Sequence, residues 1–147
     1  MIRIIAVGKK HDSNLVAAIK DYEKRLRAPF DIRWELLPYS AKSDDEARQD
    51  ESERITQQLR PSDFVILLDE RGQYISSPNF STLLADHQNL VIIIGGAYGV
   101  SGKLRQRADQ VLSLSAMVFP HQLVRLILIE QIYRAQAIVH NHPYHHI

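Results

Sequence analysis

The pattern of apolar residues predicts an α/β fold, a single-domain mostly parallel sheet with helices on both faces. Three observations carry this reading. Strand-type and helix-type periodicities alternate along the chain. The runs 64–68 and 90–94 are wholly apolar, as expected of parallel strands covered on both faces. Turn residues separate the segments, with no internal repeat, linker or low-complexity tract between them. The 147 residues form one domain, 1–147, long enough to bury about two thirds of the surface exposed when unfolded.

In chain order, residues 2–7 alternate as a strand. A helix follows over about 12–27, with Asp12 or Ser13 as the capping residue. Residues 32–37 make a second strand, stopped by Pro38. The stretch 44–59 is a highly charged helix whose few apolar positions are Ala47, Ile55 and Leu59. The strand 64–68 should end in a turn at Asp69-Glu70-Arg71-Gly72. A short helix over 76–86 leads to the apolar strand 90–94. After the glycine-rich stretch 95–102 come a short basic helix, a strand around 110–114 and a long helix over 120–140. Pro120 suits a first helical position, where its missing N–H costs nothing. This last helix is apolar nearly all round, with four apolar residues in succession at 126–129. So small a domain cannot cover it alone, and part of its surface is expected to meet a second copy of the chain as a homodimer. Glu130 and Arg134 stand one turn apart and read as an ion pair.

Composition narrows the function less than the fold. Hydrophobic residues make up 45% and charged residues 24%, as in ordinary soluble proteins. The chain shows no secretory signal and no apolar run long enough for a membrane span. The absence of cysteine excludes disulfides and thiolate metal sites and is compatible with a cytoplasmic location. The net charge of +1 hides an asymmetry: eight Lys/Arg against four Asp/Glu in residues 1–33, three against nine in 43–70, six against three in 71–147. Basic ends around an acidic middle permit a polyanionic partner without demanding one.

Ligands of open α/β sheets bind beyond the carboxyl ends of strands, which directs attention to two loops. The first is Ile94-Gly95-Gly96-Ala97-Tyr98-Gly99-Val100-Ser101. Gly102-Lys103 lacks both the preceding glycine and the following hydroxyl residue of a nucleotide-phosphate loop. Adjacent Gly95-Gly96 likewise breaks the dinucleotide fingerprint. By itself the loop reads equally as a tight strand-to-helix turn capped by Ser101. The second loop is Leu114-Ser115-Ala116-Met117-Val118-Phe119-Pro120-His121-Gln122-Leu123-Val124-Arg125. Leu114, Ala116, Met117 and Phe119 fit the core end of a strand as well as a binding wall. His121 and Arg125, four apart, share a helix face. Arg125 suits substrate contact or pairing with a carboxylate such as Asp69 or Glu70.

These two loops and the tail His140-Asn141-His142-Pro143-Tyr144-His145-His146, in this order, resemble the SPOUT methyltransferases. The resemblance is greatest to the group that modifies the large ribosomal subunit's RNA (methyltransferase H). It covers essentially the whole chain, including the opening Ile-Ile-Ala-Val-Gly-Lys and the Leu68-Asp69 turn.

The resemblance implies a C-terminal trefoil knot and S-adenosylmethionine as methyl donor, with no metal. The donor would bend among Leu68, the glycines Gly95, Gly96 and Gly99, and the segment Leu114, Ser115, Ala116, Met117, Val118 and Phe119. Small residues, apolar side chains and free backbone amides suit a ligand that has an adenine and a sulfonium but no phosphate. The implied reaction is methylation of N3 of a pseudouridine in large-subunit ribosomal RNA, with the assembled ribosome as the expected partner. His121, Arg125, Tyr144 and His145 are the implied catalytic residues. Tyr144 would stack on a base, and His145 would hydrogen-bond or exchange a proton. Relatives often carry Arg or Lys where this chain has His146. The four tail histidines lack a cysteine or nearby carboxylate to complete a metal site.

Overall fold

The computed structural model describes residues 1–146. Strands β1 (Ile2–Val7), β2 (Ile32–Leu37), β3 (Phe64–Tyr74), β4 (Leu90–Ile94) and β5 (Gln110–Ser113) form one sheet. Their order is β2-β1-β4-β3-β5, and every pairing is parallel. Helices α1 (Val16–Glu23), α3 (Ser77–Asp86) and α5 (His121–Val139) cover one face. Helices α2 (Asp44–Gln57) and α4 (Gly102–Arg107) cover the other.

Strand geometry sends alternate side chains to opposite faces, so the central strands feed two cores. On β4, Leu90, Ile92 and Ile94 meet the α1–α3–α5 layer, while Val91 and Ile93 meet the α2–α4 layer. Most are fully enclosed, and each such side chain stabilises the fold by about 1.5–3 kcal/mol. The expected α/β architecture, with helices on both faces, is therefore present.

Three elements differ from the reading of the sequence. Helix α1 begins later than residue 12, and Leu15 at its start makes no side-chain cap. Asp12 is held outside it: its carboxylate accepts the Asn14 N–H at 2.8 Å, and its own N–H donates to Gln122 Oε1 at 3.0 Å. The expected turn at 69–72 is an excursion within β3. Leu68 and Gln73 both face Leu112 in the register, so the strand leaves the sheet and re-enters it. A Cβ on Gly72 would lie 2.7 Å from the β5 backbone, and only glycine permits that approach. Finally, β5 stops at Ser113, leaving Leu114 in the following loop.

Candidate functional site

The excursion within β3 and the carboxyl ends of β4 and β5 surround an open pocket of about 540 Å³. Its walls are residues 68–71, 94–100 and 113–121 without Ala116, together with Val124. Leu68, Gly95, Gly96, Gly99, Leu114, Ser115, Met117, Val118, Phe119 and His121 thus lie around one cavity, although they come from three separate segments. The residues 116–118 are exposed, Met117 by 73% and Val118 by 75%, so they are not strand core. Ser115 shapes this loop by accepting the Met117 N–H at 3.0 Å.

The glycine loop is a tight turn as well as a wall. Gly99 donates to the Gly96 carbonyl at 3.0 Å, and its φ of 78° favours a residue without Cβ. Ser101 caps α4 by accepting the Leu104 N–H at 3.2 Å. Behind the loop stands α2. Arg48 donates to the Tyr98 carbonyl at 2.9 Å, and Ser52 Oγ accepts the Ser101 N–H at 2.8 Å. Between them Glu51 lies beneath Gly96: a Cβ there would come within 2.6 Å of Glu51 Oε1. The glycine at 96 accommodates this carboxylate.

His121 opens α5 at the pocket's edge. Its Nε2 is 2.9 Å from the Tyr39 hydroxyl. Burial, followed by the neighbouring Arg125 guanidinium, pushes its pKa below the ordinary histidine value, against an opposing pull from Glu51. That direction favours the neutral imidazole, the form able to take up a proton.

Arg125 is not at the pocket surface. It is fully buried, and it makes no pair with Asp69 or Glu70. Nη2 donates to the Val7 and Gly8 carbonyls at 2.9 Å each, and Nη1 to the Lys10 carbonyl at 3.1 Å, with His11 Nδ1 at 3.2 Å. These bonds pin the chain after β1 to α5. Asp69 is taken instead by Arg105 and Arg71. Burial opposes its ionisation, but the Arg71 N–H and the Arg105 guanidinium outweigh this and hold its pKa below the usual carboxylate range.

The tail residues lie elsewhere along α5. The Tyr144 ring sits edge-on to Tyr133 at 4.8 Å, beneath the Arg134 guanidinium, with its hydroxyl 3.3 Å from that of Tyr22. Arg134 Nη1 contacts His145 Nδ1 at 3.1 Å, and it holds the expected ion pair with Glu130 at 2.6 Å. Neither tail residue lines the pocket of its own chain.

Two contributors escaped the sequence reading. Tyr39 follows the carboxyl end of β2, a strand end without the glycines that mark a ligand loop. Glu51 stands four residues from both Ala47 and Ile55 and so shares their apolar stripe. That position was the available signal.

The chain is similar to known proteins along its length. Residues 1–145 match the family described as predicted SPOUT methyltransferase. A ribosomal RNA large subunit methyltransferase H from Trichlorobacter lovleyi is 42% identical over 152 residues, covering 99% of each chain. The protein of the same name from Dictyoglomus thermophilum is 42% identical over 151 residues, again with 99% of each covered. Among solved structures, a probable methylase family protein from Haemophilus influenzae Rd KW20 superposes with a TM-score of 0.58 at 16% identity. That superposition covers 95% of this chain and 66% of the other and shows shared fold alone. With its parallel sheet, its three-loop pocket and a family match from end to end, this chain belongs to the SPOUT methyltransferases.

Proposed function

We propose that the protein methylates N3 of a pseudouridine in bacterial large-subunit (23S) ribosomal RNA, with S-adenosylmethionine as donor. The observation that carries this reading is the pocket itself. Glycine and apolar walls meet a neutral histidine and no phosphate-gripping lysine, and full-length relatives are named for action on that RNA. When bound, the donor supplies an electrophilic methyl group on a sulfonium. Leu68, Gly95, Gly96, Gly99 and the 114–119 segment would hold it.

The rest of the chemistry belongs to the chain. His121, at the pocket's edge, accepts the N3 proton, with Tyr39 fixing its ring; His145 or water are the alternative acceptors. Arg125 acts by positioning the loop after β1, since its donors are spent on backbone carbonyls. Much of the rate then comes from holding the reactants together.

A homodimer completes the site. Tyr144 and His145 do not reach the pocket of their own chain, so the tail of one copy serves the pocket of the other. The half-buried Leu123, Ile127 and Ile138 on α5 offer an apolar surface for that assembly. We read the C-terminal segment as the family's trefoil knot, the assembled ribosome as the substrate, and the cytoplasm as the location. Among the described residues no helix is long and apolar enough to cross a membrane.

The test uses ribosomes from a strain lacking the gene. Purified protein and S-adenosylmethionine should add one methyl to a pseudouridine of the large-subunit RNA, located by mass mapping. Methylation of another base, or none, overturns the reading.

A further inference from the structure

We propose that Glu51 is the counter-charge for the donor's sulfonium, acting through the bare backbone of Gly96; this rests on the donor reading above. Glu51 is only 4% exposed. Its Oε2 accepts the Ser40 N–H at 2.9 Å, and its Oε1 has no hydrogen-bond partner among the described residues. Neither arginine flanking it on α2 turns toward it. Arg48 goes to Asp45 and the Tyr98 carbonyl, and Arg54 to Asp50 and the Pro38 carbonyl. A buried carboxyl oxygen left without a partner is unfavourable, so its retention behind a cavity wall points to a group that enters there.

The pocket is where such a group would come. The nearest atoms to a Cβ on Gly96 are Glu51 Oε1 at 2.6 Å and Val7 Cγ1 at 3.4 Å. The carboxylate therefore backs onto the ends of β1 and β4; it does not line the cavity itself, and the backbone of Gly96, which does, stands between the two. Its field already reaches the pocket's edge, where it favours protonation of His121. Surrounded by protein, that field is little screened by salt.

The type of cation follows from hydrogen bonding. An ammonium group has three N–H donors and requires direct acceptors. A sulfonium has none and is recognised by charge alone, which a carboxylate one backbone layer away can supply. In methyl transfer the carbon–sulfur bond breaks, its electron pair stays on sulfur, and a nitrogen–carbon bond forms with loss of the N3 proton. Sulfur becomes neutral, so the attraction to Glu51 disappears with the reaction. The same carboxylate thus favours the charged donor over the spent product.

Calorimetry on the intact protein tests this with S-adenosylmethionine and S-adenosylhomocysteine as probes. Wild type should prefer the charged compound. Glu51→Gln, which keeps the shape, should bind it roughly tenfold more weakly while leaving the neutral product within about twofold. If Glu51→Gln does not fold, Glu51→Met carries the same comparison without a buried amide. Equal weakening of both compounds marks a structural role and overturns the inference, as does an unchanged preference. A wild-type protein that binds neither compound overturns the donor reading, and this inference with it.

Discussion

Helices α2 and α5 lie on opposite faces of the sheet, and each carries one buried ionisable side chain to the carboxyl ends of the strands. On α5, Arg125 meets three backbone carbonyls and a histidine ring, with only Nε unpartnered. On α2, Glu51 has one oxygen bonded and the other free. The difference separates two uses of burial. A charge whose acceptors all lie within the fold serves the fold, whereas one left half-satisfied beside a cavity is poised for what enters it.

The comparison breaks most readily at Arg125. Arg125→Met should destabilise the protein by about 3 kcal/mol, because the carbonyls of Val7, Gly8 and Lys10 lose their donor. Glu51→Gln should cost under about 1 kcal/mol, since the Ser40 bond survives. Urea midpoints measure both, and equal losses would erase the distinction. Tyr144→Ala, away from both helices' buried charges, should slow RNA-dependent turnover roughly ten- to a hundredfold if a stacked base is lost. Donor affinity should stay unchanged in calorimetry.

Gly96→Val sharpens the contrast from the other side. Its new side chain meets Glu51 and pushes the glycine loop from its place in the pocket wall, so donor binding should be lost in a folded protein that is about 1–3 kcal/mol less stable. Gly96→Ala combined with Glu51→Ala should recover part of the stability that Gly96→Ala loses. Additive losses would show that the two sites do not touch. The smallest effect is electrostatic. In Glu51→Gln the NMR titration of His121 should move further below the ordinary histidine value, since a pull toward protonation is removed.

His121 and His11 are both held below the ordinary value of 6.5, by burial first and by Arg125 next. The unfolded chain therefore binds their protons more readily than the native one. Their contribution to stability is complete above about pH 6.5 and is lost as pH falls through the lowered native values. Thermal melts across that window check the sign.

Much of this was legible in the sequence because it depends on local pattern. The strands β1, β2 and β4 have the expected bounds, since each is a short segment rich in strand-type residues and punctuated by turn residues. The pocket loops were legible from composition and order. Partners distant in sequence were not. Arg125 lies 118 residues from Val7, and nothing near either position announces that they bond. Asp12 looked like a helix cap because its bond to Gln122, 110 residues away, is invisible locally. The turn at 69–72 was recognised, but its return to the sheet depends on β5, which follows much later.

That return has a consequence for how the protein can vary. Since Leu68 and Gln73 pair with the same residue of β5, the intervening excursion can change without shifting the register of either flanking segment. Its ends are constrained, Asp69 by Arg105 and Gly72 by the β5 backbone. Glu70 and Arg71 are exposed at the pocket rim. This two-residue tip is where lineages, or a designer grafting loops, can lengthen the chain and reshape access to the cavity while the sheet beneath stays in place.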